Sequence, residues 1–179
     1  MKHINIPWMI RTIIITIMLS TIFTLLSVTA LSEAGYLVAV LLLFGLMIFG
    51  IVFDMVGVAV TAARPEPFHA MAARREKAAK QAISLVKQAD RVASFCNDVV
   101  GDIAGIVSGA GAAAIAARLV ADFGIAALPV SLIISGFVVG FTIGGKIIGK
   151  SLAIHNSTEI VMMAARVICS IPWKFGSKT

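Results

Sequence analysis

Cys96-Asn97-Asp98-Val99-Val100-Gly101-Asp102-Ile103 opens an otherwise apolar stretch that runs to about Ala117. A carboxylate in a segment hydrophobic enough to cross a bilayer is costly, so it faces a bundle interior, a water-filled path or a bound cation. Asp98 and Asp102 are four residues apart, a spacing that sets both on one face of an α-helix. Asn97 adds a carbonyl oxygen at the edge of that face. Asp54 supplies a third acidic group at the end of another apolar run. Together Asp54, Asn97, Asp98 and Asp102 form an all-oxygen set with the character of a hard-cation site.

The rest of the chain fits a membrane setting. Of its 179 residues 59% are hydrophobic and 13% charged, and the mean hydropathy is +1.00, which excludes an ordinary soluble domain of this length. Four runs are long enough to span: Thr12 to Leu31, Ala34 to Phe53 with a continuation past Asp54 to Ala63, about Phe95 to Ala117, and Phe123 to Gly145. The net charge of +6 gathers between and after these runs. Seven basic residues lie in Arg64 to Arg91 and five in the tail from Lys146, against Arg118 alone in the two short connections. Positive-inside bias therefore predicts that the N-terminus, the middle segment and the tail are cytoplasmic, in a multi-pass protein of the cell membrane, and it removes nucleic acid as a partner.

Residues 1–33 read as an N-terminal anchor span. They also carry the pattern of a signal peptide, with Lys2 to Arg11 as charged region and Val28-Thr29-Ala30 as cleavage site. The remaining 34–179 form a three-span core. Within it, 64–94 repeats Phe68, Met71, Ala79, Ile83, Val86, Ala89 and Ala93 near helical spacing, opposite Lys77, Gln81, Ser84, Gln88 and Arg91. It predicts one or two amphipathic helices on the inner membrane surface, set off by Pro65 and Pro67. The stretch 150–172 repeats the device, with a capping box at Asn156 and Glu159 and a stop at Pro172. Trp8 and Trp173 are expected interface anchors. Rows of small residues, Gly101, Gly105, Gly109, Ala113 and Ala117 on one span and Gly136, Gly140 and Gly144 on the next, predict close helix packing within a bundle or between protomers.

Three stretches in order resemble the transmembrane domain of the CNNM/CorB/CorC family. Phe53-Asp54-Met55-Val56-Gly57-Val58-Ala59-Val60-Thr61-Ala62-Ala63 is similar to the family's S-x-S-E-x-A-x-x-A, and a basic amphipathic helix follows it. Cys96-Asn97-Asp98-Val99-Val100-Gly101-Asp102-Ile103 is similar to G-N-N-x-x-N. Gly145-Lys146-Ile147-Ile148-Gly149-Lys150-Ser151-Leu152-Ala153 is similar to G-E-x-x-P-K-x-x-A. The departures are Asp54 for the first serine, Gly57 for the first motif's glutamate, Asp98 for an asparagine, Lys146 for the third motif's glutamate and Gly149 for its proline. The resemblance implies an all-α membrane fold, homodimerisation, and a role in magnesium export or divalent-cation homeostasis. With no tandem CBS domains in the sequence, it is to a divergent, stand-alone member, which a full-length relative could partner.

Two functions follow. In the first, Asp54, Asn97 and Asp98 hold Mg2+ or another divalent ion directly or through water, with Asp102 behind them, for transport or sensing. In the second, Lys146 pairs with Asp54 or Asp102, a tethered ammonium fills the ion's place, and the protein is a scaffold or regulator. A proton relay through Asp98 and Asp102 is a third reading. His69 and His155 stand alone as surface residues, Cys96 and Cys169 lack zinc or redox spacing, and no nucleophile-base arrangement is present, so an enzyme is not expected.

Overall fold

Inside hydrocarbon a backbone amide finds no partner outside its own helix, so uninterrupted apolar runs fold as helices. The computed structural model describes residues 6–33 and 35–170. In chain order it comprises α1 (Ile6–Glu33), α2 (Tyr36–Ala62), α3 (Pro65–Ala73), α4 (Ala79–Lys87), α5 (Ala89–Ala93), a π-helical segment (Ser94–Gly101), α6 (Asp102–Phe123), α7 (Ala127–His155) and α8 (Ser157–Ser170). No strand occurs among the described residues. The protein is an all-α, multi-pass membrane protein.

Three helical stretches are long and apolar enough to cross a bilayer: Tyr36–Ala62, Ala89–Phe123 and Ala127–His155, of 27, 35 and 29 residues. Two of them exceed the spans expected from sequence. The third begins before Phe95 and runs past Ala117, because the π-helical segment joins α5 to α6 without a break. The fourth does not stop at Gly145. Lys146 and Lys150 can hold their charges at the polar end of a helix while their stems stay along it, so α7 continues to His155. The expected first span lies in α1, whose described apolar stretch, Ile13–Leu25, is shorter than the other three. The anchoring roles of Trp8 and Trp173 and the stop at Pro172 lie outside the described residues.

Local chemistry sets the ends. Arg64 is extended, as a residue before proline must be, and Pro65 takes the first position of α3. Gly124 closes α6 in the left-handed conformation at φ 64°, its amide bonded to the Val120 carbonyl at 3.0 Å. The expected capping box does not form. Asn156 follows α7 directly and starts α8 through its backbone carbonyl, which accepts from the Ile160 amide at 3.1 Å.

The chain divides into two compact units. The first holds the residues up to Gly50 together with Gly101–Gly145. Here α6 packs on α1, and Ala39, Leu43 and Met47 of α2 are buried with Ala112 and Ile115 of α6 and Val138 of α7. Phe44 meets Phe141 and Phe137 edge-on, with ring centroids 5.2 and 6.1 Å away. Tyr36 donates its hydroxyl to Asp122, and Arg118 lies 4.7 Å over the Tyr36 ring with its Nε 3.8 Å from Asp122. The small-residue rows do not carry this packing. A methyl group built at Gly105, Gly109, Gly136, Gly140 or Gly144 meets nothing within 4 Å, and Ala113 and Ala117 are exposed. Tight approach occurs instead at Gly50, where an added methyl group falls 2.8 Å from the Ala104 side chain.

The second unit holds Ile51–Val100 and the chain from Lys146 onward. Its core gathers Ala59, Val60 and Ala63 of α2, Phe68 of α3, Ala82 of α4, Ala153 of α7, and Ile160, Val161, Met162 and Ala165 of α8. The amphipathic stretches expected on the membrane surface are thus helices whose apolar faces pack on one another and on the ends of two spans. Phe68 is fully buried there. Phe68→Ala is expected to cost about 3–5 kcal/mol, a large-to-small cavity in a closed core, whereas the neighbouring exposed His69→Ala changes stability by under about 0.5 kcal/mol. Thermal unfolding of the two purified variants in one detergent measures the difference.

Candidate cation site

Asp54 is the one acidic side chain buried among the described residues, only 4% exposed in the second half of α2. Its neighbours Val52, Met55, Val56 and Val58 offer no polar partner, so compensation must come from another helix. Lys150 of α7 provides it, with Nζ 3.6 Å from Asp54 Oδ2. The lysine is half-exposed, so its stem lies along the protein while the ammonium keeps contact with the surroundings. Lys146, the residue expected from sequence to make this pair, is one helical turn too early.

A buried glycine lies at the approach, where an added methyl group would make ordinary contact. Gly149 is buried, and a methyl group there would meet Ile51 Cγ2 at 3.4 Å and Met55 Cβ at 3.7 Å. Ile51 and Met55 flank Asp54 on α2. The close seat of Gly149 against them therefore carries the next residue, Lys150, to the carboxylate.

Asn97 reaches α2 in a similar way. Gly57 lies three residues beyond Asp54, about 4.5 Å along the helix axis. A methyl group at Gly57 would lie 2.8 Å from the Asn97 Cγ and collide with its carbonyl oxygen. The Asn97 side chain thus occupies the space that any larger residue at position 57 would fill. Asn97 Oδ1 and Asp54 Oδ2 are both buried without a hydrogen-bond donor among the described residues. Two acceptor oxygens lacking donors, within about one helical turn along α2, fit a hard cation, which needs oxygen lone pairs and no protons.

The motif lies largely on the π-helical segment, and its polar residues divide between the inside and the outside. Asn97 faces inward, while Asp98 is exposed. Asp102, the first residue of α6, is also exposed and belongs to the other compact unit. Of the four residues expected to form the site, the structure brings Asp54 and Asn97 to one face of α2. Among the described residues no three His, Cys, Asp or Glu side chains gather as a metal-binding group. His69 and His155 are exposed, and Cys96 and Cys169 are free thiols.

Gly57, Gly149 and Lys150 were not singled out by spacing. Their signals are weak: a glycine within a helical run permits a close approach without requiring one, and most glycines of the spans meet nothing within 4 Å. If Gly57 exists to seat Asn97, then Gly57→Ala destabilises by about 1–3 kcal/mol through overpacking. Asn97→Ala in the same chain relieves that cost. A double-mutant cycle on thermal stability should give a coupling of about 1 kcal/mol or more, and simple additivity would show that the two residues do not meet.

One comparison with known proteins finds a match. Residues 40–175 match the family model for the Cyclin M transmembrane N-terminal domain, CNNM, a family associated with divalent-cation transport. No curated protein and no solved structure matches the chain. The matched region runs from the first turns of α2 beyond the end of α8, and takes in Asp54, Gly57, Asn97, Gly149 and Lys150. The chain belongs to the CNNM transmembrane-domain family.

Proposed function

We propose that this protein transports or senses a divalent cation, Mg2+ foremost, at an intramembrane site that opens toward the cytoplasm and is built on Asp54 and Asn97. The observation that carries the reading is the pair of buried oxygens, Asp54 Oδ2 and Asn97 Oδ1, without donors beside the close contacts of Gly57 and Gly149. Magnesium sheds water reluctantly, so one carboxylate and one carboxamide suffice, with retained waters completing the octahedron. Asp98 and Asp102 enter the proposal from sequence spacing alone, as carboxylates that draw the ion toward the site. The cytoplasmic opening rests on the basic residues of 64–91 and of the tail.

Lys150 makes the site switchable. At about 4 Å and an effective dielectric near 20, the gross attraction of the pair is about 4 kcal/mol. Burying the Asp54 carboxylate costs several kcal/mol while Lys150 stays half-exposed, so the net worth of the pair is small and an incoming dication can displace the ammonium. Transport then consists of ion entry, exchange with Lys150, partial dehydration between Asp54 and Asn97, and exposure to the opposite side.

The same ion pair favours a second reading. If the ammonium never leaves, the fold is a scaffold or regulatory partner whose ion place is filled by Lys150, not by Lys146. Assembly as a homodimer suits either function, through the rows at Gly109, Gly136 and Gly140 that the chain itself leaves uncovered.

Titrating purified protein with Mg2+ while following its thermal midpoint separates the two. For a binder, stabilisation approaches about 2.7 kcal/mol at one hundred times Kd. Asp54→Asn and Asn97→Ala should abolish the response, and Lys150→Met should shift it to lower Mg2+. A scaffold gives a flat titration in the parent chain, and Mg2+ flux into proteoliposomes then tells carriage from sensing.

A further inference from the structure

We propose that the turn Arg74-Arg75-Glu76-Lys77-Ala78-Ala79-Lys80, between α3 and α4, is a docking surface for the headgroups of anionic phospholipids. Four basic side chains fall within seven residues, and all four are exposed. None of them pairs with an acidic group among the described residues. Ala78, Ala79 and Ala82 are buried, so the turn is anchored from beneath while its charges point outward.

The backbone adds an independent sign. The Arg75 amide bonds to the Ala72 carbonyl at 3.0 Å and the Glu76 amide to Met71 at 3.2 Å, the double bond pattern that closes a helix with a left-handed residue. Arg75 holds that left-handed position, at φ 63°, where glycine is the unstrained choice. The chain thus keeps a guanidinium at a place that favours no side chain at all.

The setting selects lipid over a soluble polyanion. Nine-residue α3 is about 13 Å long and starts three residues after the bilayer-crossing α2 ends, with Phe68 packed into the core that includes Ala59 and Val60. The turn therefore sits one short helix beyond the end of the bilayer-crossing α2, and long Arg and Lys side chains extend its reach toward the membrane surface. Anionic headgroups attract basic side chains at this range, about fivefold in affinity for each one. The proposal does not depend on cation binding, since it uses neither Asp54, Asn97 nor Lys150.

The test uses the full chain in micelles doped with phosphatidylglycerol or with phosphatidylcholine, where both ends of the helices are accessible. Retained lipid is read by native mass spectrometry and stability by the thermal midpoint. Phosphatidylglycerol should be retained and should raise the midpoint. A variant carrying Arg74→Ala, Lys77→Ala and Lys80→Ala should lose about a hundredfold in apparent affinity, while Arg166→Ala on α8 changes it by less than twofold. Arg75→Gly separates charge from fold: it should unfold later than the parent in plain detergent yet retain about fivefold less phosphatidylglycerol. Equal retention of the two lipids, the same stabilisation by inorganic phosphate alone, or unchanged retention by Arg75→Gly overturns the proposal.

Discussion

A carboxylate buried in an apolar helix must be answered by some other part of the protein, and the second unit is organised around answering Asp54. Nothing on α2 itself can do it, because the side chains beside Asp54 are aliphatic, aromatic or thioether. The answer comes from α7, and it requires that α7 lie close enough for Lys150 to reach. Gly149 seats α7 against Ile51 and Met55 at ordinary contact distance. One turn further along α2 a residue without a side chain is required, and Gly57 yields its space to Asn97. Charge, small residues and helix approach are thus one linked constraint, and a change in any of them falls on the others.

The fold was largely legible in the sequence because hydrophobic length acts over tens of residues. Three of the four expected spans appear as helices long enough to cross a bilayer, and the break at Pro65 marks a real helix start, whereas Gly124, placed within the fourth span by hydropathy, caps α6 instead. The amphipathic period of 64–94 was equally readable. Its partner was not: the same pattern serves a helix lying on lipid and a helix packed on protein, and here Phe68, Ala79 and Ala82 are buried within the chain.

The site was legible in residue type and less so in geometry. Asp54 and Asn97 stand out as polar groups in apolar runs, and they are the two that the structure brings to one face of α2. Asp98 stands beside Asn97 in sequence, but successive residues of a helix point in different directions, and Asp98 is exposed. Which of the two meets α2 depends on how the helices are held, and no spacing rule reveals that. The choice between Lys146 and Lys150 has a similar origin. Both lie on one strip of α7, and only the contact at Gly149 decides which is level with Asp54. The glycine rows failed as guides to packing inside the chain for a related reason: small residues permit approach without specifying the neighbour that makes it.

The Asp54–Lys150 pair bears on why such a site persists. A buried ion pair is a poor stabiliser, and two apolar residues of similar volume in its place are often neutral or better by 1–4 kcal/mol. Stability alone therefore gives no reason to keep an aspartate in the apolar part of α2. Nor does the pair have the form expected of a purely structural bridge, since Lys150 is half-exposed and approaches only one oxygen, at 3.6 Å, beyond hydrogen-bonding distance. A bridge selected for stability would bury both partners and saturate their hydrogen bonds. A loosely held ammonium over an undersupplied carboxylate, with the Asn97 carbonyl oxygen also lacking a donor among the described residues, is what the proposed exchangeable cation site would require. The physical weakness of this contact is the argument for reading it as function.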